Sequence, residues 1–416
     1  MNVIYKFGTG RIGEIVKWLR DTYSADDIAD IDEEIKLNTI LTALQLTSGE
    51  FDSVIANNSP VFRTVKGHVF ESVFKYILEE NSIDVDHIGG DNVVDLRVNK
   101  FDLQLKTPNM AGTKGDVAQY KTHKTHGAKS EQESMDYYYK IDEFATFLVG
   151  LISYEPFQVI FLNHSEIPRH PKDVNRIQSP FKVTWRGHHG LNAFERIGVK
   201  DLDLDKNTHV PEDFSKELLP LTSAKLNLKS EIILDTILNE GNFRIWDMSI
   251  RGFAREVAID NLLSEFGISS LNPVPLKTER GDKADFAVNI NGSHKFFQVK
   301  GVSTNNCKFN GGNSIVATET QLTRGRVNDH PTQSRLYLKS DFEYLILALD
   351  PPQVALFENE IGNDANLEWK LFCIPTDELT AHSVIKHRLN SLQKFSYQDL
   401  KKYELKEAKI KEIFDL

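Results

Sequence analysis

One local pattern occurs twice in this chain, and that repetition constrains the fold more than any other feature of the sequence. Residues 281–301, GDKADFAVNINGSHKFFQVKG, alternate apolar and polar positions on both sides of Asn291-Gly292. Asn-Gly between alternating runs is the strongest short-range signal for a tight hairpin. Side chains two apart on a strand share a face, so Gln298 and Lys300 project together, and Asp285 on the other arm can reach the same point. Residues 89–106 repeat the pattern around a turn near Asn99-Lys100, with Asp95, Gln104 and Lys106 in the same places. The spacing is D-x8-Q-x-K in the first copy and D-x12-Q-x-K in the second.

The likeness extends on both sides of the hairpins. GHVFESVFKYIL at 67–78 and GFAREVAIDNLL at 252–263 each place a Glu four residues after a Gly, giving Glu71 and Glu256. The first of these has helical periodicity, with Val69, Val73, Phe74 and Ile77 as its apolar stripe and Glu71 at or beside its edge. Downstream, YYKIDEFATFLV at 138–149 is similar to YLKSDFEYLIL at 337–347, each a candidate buried strand. A repeat of about 190 residues is too long for a solenoid and predicts two homologous domains.

An acid on a helix, an Asp on one strand and a Gln-x-Lys on the next resemble the core of the PD-(D/E)xK nucleases, the superfamily of restriction-type endonucleases. The resemblance covers roughly 61–165 and 245–375. It implies an α/β (α+β) fold of two tandem restriction-endonuclease-like domains, each a central mixed sheet flanked by helices. By motif position it implies Asp95, Gln104, Lys106, Asp285, Gln298 and Lys300 as catalytic residues. Glu71, Asp95, Gln104, Glu256, Asp285 and Gln298 would be ligands of Mg²⁺ or Mn²⁺. Both copies depart from the commonest form in carrying Gln where Glu is usual, which removes a negative charge from the metal site, and neither has Pro immediately before the Asp. The residue chemistry agrees with phosphodiester hydrolysis: hard oxygen donors suit Mg²⁺, and a lysine can orient or help deprotonate a water and offset phosphoryl charge.

The implied activity is Mg²⁺-dependent cleavage of double-stranded DNA by a type II-like restriction endonuclease. One chain would supply both active sites as a pseudo-dimer, whether it works as a monomer or a homodimer. Two alternatives stand beside it: one copy cuts while the other recognises DNA, or the chain is a DNA-binding antiphage defence protein that does not cut. A cognate DNA methyltransferase would be the functional partner.

Composition excludes other classes. A chain of 416 residues with 40% hydrophobic and 26% charged residues is ordinary for a globular protein of more than one domain. No run approaches the roughly 18 apolar residues of a membrane span, no secretory signal is visible at the start, and the cytoplasm is the expected compartment. Cys307 and Cys373 are the only cysteines, which excludes a disulfide scaffold and a cysteine zinc site. The net charge of −11 argues mildly against a nucleic-acid partner, but phosphates are met by local clusters. Candidate DNA contacts are Lys114, Lys121 and Lys124 in the loop after the first hairpin, and Arg324 and Arg326 after the second. GTGRIG at 8–13 has dinucleotide-fingerprint spacing, but the second strand ending in an acid that should follow is missing, so a turn feeding a helix is the expectation there. His123 and His126 lack the further ligands of a zinc site, and the polar-aromatic cluster of Trp185 to His189 reads as a loop rim.

The expected division is an N-terminal helical segment at 1–60, nuclease-like domains at 61–200 and 241–380, a linker and helical lead-in at 201–240, and a basic helical segment at 381–416.

Overall fold

The computed structural model describes residues 33–88, 93–109, 114–122, 138–185, 191–200, 202, 210–238, 250–271, 283–302, 306–308, 314–322, 334–358 and 368–416. The GTGRIG segment, Arg186–His189, His123 and His126 lie outside them. The chain forms two compact units, residues 48–245 and residues 1–47 together with 246–416.

In the unit of residues 48–245, helix α2 (Ser48–Asn57) leads into α3 (Ser59–Glu80). The turn between them is fixed by Asn58, whose side chain caps α3 by accepting from the Val61 N–H, with Pro60 inside the first turn where no N–H is needed. Val69, Val73, Phe74 and Ile77 are all buried, as the periodicity expects. The strands β1 (Val85–His87), β2 (Leu96–Val98), β3 (Phe101–Lys106), β5 (Phe147–Tyr154) and β6 (Phe157–Asn163) form one sheet in that order. The first three pair antiparallel, β3 and β5 run parallel, and β6 returns antiparallel. A small sheet of β4 (Val117–Tyr120) with β9 (Phe181–Thr184) contributes Tyr120 and Phe181 to a core that includes Leu148 and Ile160. Strands β7 (Arg169–His170) and β8 (Asp173–Ile177) make a separate ribbon.

Aromatic residues weld α3 to this sheet. Phe74 stacks on Phe194 at 6.0 Å and lies 6.2 Å from Phe161. Phe194 belongs to the short helix α4 (Leu191–Phe194). Helices α5 (Pro220–Leu226) and α6 (Ser230–Leu238) complete the unit. They were expected to lead into the second domain, but α5 is fastened to α2 within the first unit. The buried Asp52 carboxylate accepts from the N–H groups of Leu221 and Thr222 at 2.8 and 2.9 Å, satisfying two donors that a helix start leaves open.

The second unit contains α7 (Arg251–Glu265) and a sheet of β10 (Ser270–Leu271), β11 (Phe286–Ile290), β12 (Ser293–Gly301), β14 (Tyr344–Leu349) and β15 (Lys370–Pro375). Its order and strand senses repeat those of the first: antiparallel, antiparallel, parallel between β12 and β14, then antiparallel. The Asn291-Gly292 turn has φ of 51° and 80°, the left-handed pair a two-residue hairpin favours. One face of this sheet packs Phe297, Val299, Ile346 and Ala348 against Ile259 and Leu263 of α7 and against Ile410 and Phe414. Phe286, Phe297 and Tyr344 stack in succession at 4.8 and 5.2 Å. The opposite face packs Leu345, Leu347 and Leu349 with Val316 of β13 (Ile315–Glu319), which pairs with β16 (Leu392–Ser396). Helix α8 (Pro351–Glu358) follows β14, and α1 (Glu33–Leu44) belongs to this unit, its Leu44 carbonyl accepting from Trp369 Nε1 at 2.9 Å.

The C-terminal stretch is therefore not simply a basic helical segment. It supplies β16, and only α9 (Tyr397–Leu400) and α10 (Glu407–Phe414) are α-helical there. Arg388, one of its basic residues, is buried and donates to the Leu336 carbonyl at 2.7 Å.

Candidate active sites

Each hairpin holds its Asp and its Gln at the open end of its ladder. In the first, Leu96 pairs with Leu103, with Asp95 one residue before that pair and Gln104 one residue after it. The Asp95 N–H donates to the Leu103 carbonyl at 2.9 Å, and the Leu105 N–H donates to Asp95 Oδ2 at 2.6 Å. In the second, Phe286 pairs with Phe297, with Asp285 one residue before that pair and Gln298 one residue after it. The same two bonds recur: Asp285 N–H to the Phe297 carbonyl at 2.9 Å, and the Val299 N–H to Asp285 Oδ2 at 2.8 Å. Lys106 acts electrostatically on Asp95, and Asp285 on Lys300, so each lysine completes its group.

The parallel strand beside each hairpin fixes the other side. Gln104 and Lys106 lie in register with Leu148 and Gly150, and Gln298 and Lys300 with Leu345 and Leu347. Glu71 on α3 and Glu256 on α7 are both half-buried, each on the helix packed against its site strand. The structure thus brings Asp95, Gln104, Lys106 and Glu71 together in one unit, and Asp285, Gln298 and Lys300 together in the other.

The electrostatics of the first group are those of a crowded acid pair. Burial pushes the Asp95 carboxyl up to about 6; Lys106 opposes this and Glu71 adds to it, with the Leu105 N–H and His68 as smaller opposing influences. Gln104 is 2% exposed, and its Oε1 has no hydrogen-bond partner among the described residues. Buried polar atoms are ordinarily satisfied, so a carbonyl oxygen left without a partner among the described residues stands out. Asp95, Glu71 and Gln104 are the oxygen donors that could hold Mg²⁺ or Mn²⁺, hard ions bound through a few protein oxygens and otherwise through water.

The second group is satisfied internally. Gln298 Nε2 donates to Asp285 Oδ2 at 2.5 Å, so its amide nitrogen, not its oxygen, faces the carboxylate. Burial lowers the Lys300 ammonium from its ordinary value; Asp285 opposes this and Arg255 adds to it. Lys300 Nζ also sits 5.6 Å from the centre of the Tyr337 ring, within cation–π range. Arg255 lies over Gly301, where a Cβ would run into the guanidinium. These residues fit a divalent cation less well than the first group does, because Gln298 turns its nitrogen to the carboxylate and a second cation stands close by.

Sequence reasoning missed Arg255, His68, Lys66 and Tyr337. His68 lies three residues before Glu71 on the same helix face, its Nδ1 3.6 Å from Glu71 Oε2, and Arg255 directly precedes Glu256, so adjacency to the helix acid was the available signal. Lys66 donates to the Pro108 carbonyl at 3.3 Å, two residues beyond Lys106, and burial brings its ammonium down to about 8. No local pattern marks Tyr337. Of the candidate DNA contacts, Lys114 and Lys121 are exposed on either side of β4, whereas Lys124, Arg324 and Arg326 lie outside the described residues.

No protein-family model matches the chain, and no curated protein matches it. Among solved structures, a bacterial homing endonuclease, I-Ssp6803I, is similar over 40% of this chain and 92% of its own, at 14% sequence identity and a TM-score of 0.24. A score of that size does not establish a common fold. No helix among the described residues is long and apolar enough to cross a membrane.

Proposed function

We propose that this chain is a metal-dependent DNA endonuclease, with Asp95, Gln104, Lys106 and Glu71 forming a phosphodiester-hydrolysing site. The observation that carries the reading is the first group itself: two acids, one of them buried and lifted to about 6, converge with a lysine and with an amide oxygen that has no partner among the described residues. The repetition of the hairpin geometry at Asp285 supports it, since both copies hold the Asp by the N–H of the residue between Gln and Lys.

A bound Mg²⁺ or Mn²⁺ would supply Lewis acidity toward the phosphate and lower the pKa of a bound water. The chain's own residues do the rest. Asp95 is held in place by the Leu105 N–H on its Oδ2. Lys106, whose charge acts on Asp95, orients the attacking water and offsets charge on the phosphoryl oxygens. Lys114 and Lys121, exposed beside β4, offer ammonium groups for the DNA backbone. A restriction role would set this cleavage against a cognate methyltransferase, with DNA methylated at the recognition sequence left uncut.

The decisive experiment is incubation of purified protein with supercoiled plasmid in Mg²⁺, in Mn²⁺ and in EDTA. Metal-dependent nicking or linearisation, lost in Lys106→Ala, is the expected result. Conversion equal in EDTA, or unaffected by Lys106→Ala, refutes the reading. DNA binding without cleavage under any metal would instead place the chain among proteins that hold DNA without cutting it.

A further inference from the structure

The two hairpin sites repeat each other in backbone and in sequence, yet they differ at the atoms that decide what can bind. We infer that only the Asp95 site takes a divalent cation, and that the Asp285 site is closed to metal by its own side chains. The inference rests on the proposed nuclease reading for the cation's chemistry, and it adds that the chain carries one cutting centre and not two.

Three observations carry it. The first is the glutamine. Both glutamines are nearly fully buried at matching positions of the two hairpins, but Gln104 Oε1 has no partner among the described residues whereas Gln298 gives its N–H to Asp285. Which way an amide points follows from its partners. With Oδ2 of Asp285 also accepting from the Val299 N–H, an oxygen turned toward that carboxylate would meet like charge at 2.5 Å, so chemistry fixes the nitrogen there.

The second is the helix. Aligning Gly67 with Gly252 places Phe70 where Arg255 stands. Phe70 is 1% exposed and neutral, while Arg255 brings a guanidinium to Gly301, next in the chain to Lys300. The third is the balance of charge that results. Asp95 is acted on by Glu71 and Lys106, with His68 as a smaller influence. Lys300 is acted on by Asp285 and by a second cation, Arg255. A dication entering the second site would have to break the Gln298–Asp285 bond and approach a lysine and an arginine.

The test is Mn²⁺ binding to the intact, metal-stripped chain, read by calorimetry and by the loss of the free-ion paramagnetic resonance signal. One tight Mn²⁺ per chain is expected. It should weaken at least tenfold in Glu71→Gln and in Gln104→Leu, and stay within twofold of wild type in Asp285→Asn and Gln298→Leu. Circular dichroism confirms that each variant is folded, and the two variants at the first site keep the test valid if one of them fails. Arg255→Phe combined with Gln298→Glu should create a second tight Mn²⁺. Two equivalent ions in the wild type, loss of the single ion in Asp285→Asn, or no tight ion at all overturns the inference. One bound Mn²⁺ lost with Gln104→Leu, in a protein that does not cut plasmid, would leave the inference standing and refute the nuclease reading instead.

Discussion

A carboxylate kept ionised where burial disfavours it is a cost to the fold, and removing that charge should therefore make the metal-free protein more stable. The Asp95 carboxyl has an ordinary value of 3.8 and sits at about 6 in the fold, lifted chiefly by burial. At about 1.4 kcal/mol per pH unit, the difference corresponds to about 3 kcal/mol at neutral pH. The sign follows from proton counting. Between pH 4 and pH 6 the folded chain holds a proton that the unfolded chain has released, so the contribution to stability is greatest below the unfolded value and is lost as pH rises through 6. Asp95→Asn keeps an oxygen able to accept from the Leu105 N–H and has no charge to lose. In EDTA at pH 8 it should unfold above the wild type, by roughly 6–12 °C for a unit of about 200 residues. At pH 4 the two proteins should unfold together. Thermal unfolding followed by circular dichroism across this range is the assay. A variant less stable than wild type at pH 8, or a difference that does not change between pH 4 and pH 8, refutes the account of Asp95 as a buried charge awaiting a partner. Excess Mg²⁺ should narrow the gap at pH 8 by stabilising the wild type alone.

Three further outcomes follow from packing and pairing. Gly150 stands in register with Lys106, and a Cβ there would come within 2.5 Å of the Tyr120 ring, so Gly150→Ala should cost about 1–3 kcal/mol in denaturant unfolding. Tyr120→Leu in the same chain should recover part of that loss. Asp52→Ala strands the Leu221 and Thr222 N–H groups at the start of α5 and should destabilise the first unit by roughly 2–4 kcal/mol; a loss under about 0.5 kcal/mol would mean that water replaces the carboxylate. Arg251 Nη2 meets Asp350 Oδ2 at 2.6 Å with both side chains buried, so Arg251→Leu should cost about 3–5 kcal/mol and Arg251→Leu with Asp350→Leu considerably less, as a double-mutant cycle would measure.

The parts of this fold that were legible in the sequence are those made by neighbours in the chain. Alternation around Asn291-Gly292 and around Asn99-Lys100 gave both hairpins, and the stripe through Val69, Val73 and Phe74 gave α3, because each is local. The small sheets were not legible. Val117–Tyr120 pairs with Phe181–Thr184, and Ile315–Glu319 with Leu392–Ser396, so each strand finds its partner some 60 to 80 residues away, and short lysine-containing runs such as LQKFS carry no sign of it. Around the sites, residue identity was readable and side-chain state was not. Gln104 and Gln298 occupy one position in the pattern, yet among the described residues one has an oxygen without a partner and the other a nitrogen bound to its Asp. That difference lies in side-chain orientation, which the spacing Q-x-K does not encode.

The two-residue turn at each hairpin tip has a bearing on how such a site can vary. Opposed residues in an antiparallel ladder alternate between hydrogen-bonded and open pairs, and a two-residue turn of a given kind closes on one of these. An arm that lengthens must be matched by the other to keep Asp and Gln together at the open end, and by two residues on each side to return the same kind of pair to the tip. The intervening length can therefore change smoothly only in blocks of four. Asp95 and Gln104 are separated by eight residues and Asp285 and Gln298 by twelve, one such block. Hairpin length is thus a free variable in this architecture, able to carry the tip outward by two ladder steps while leaving the chemistry at its base undisturbed.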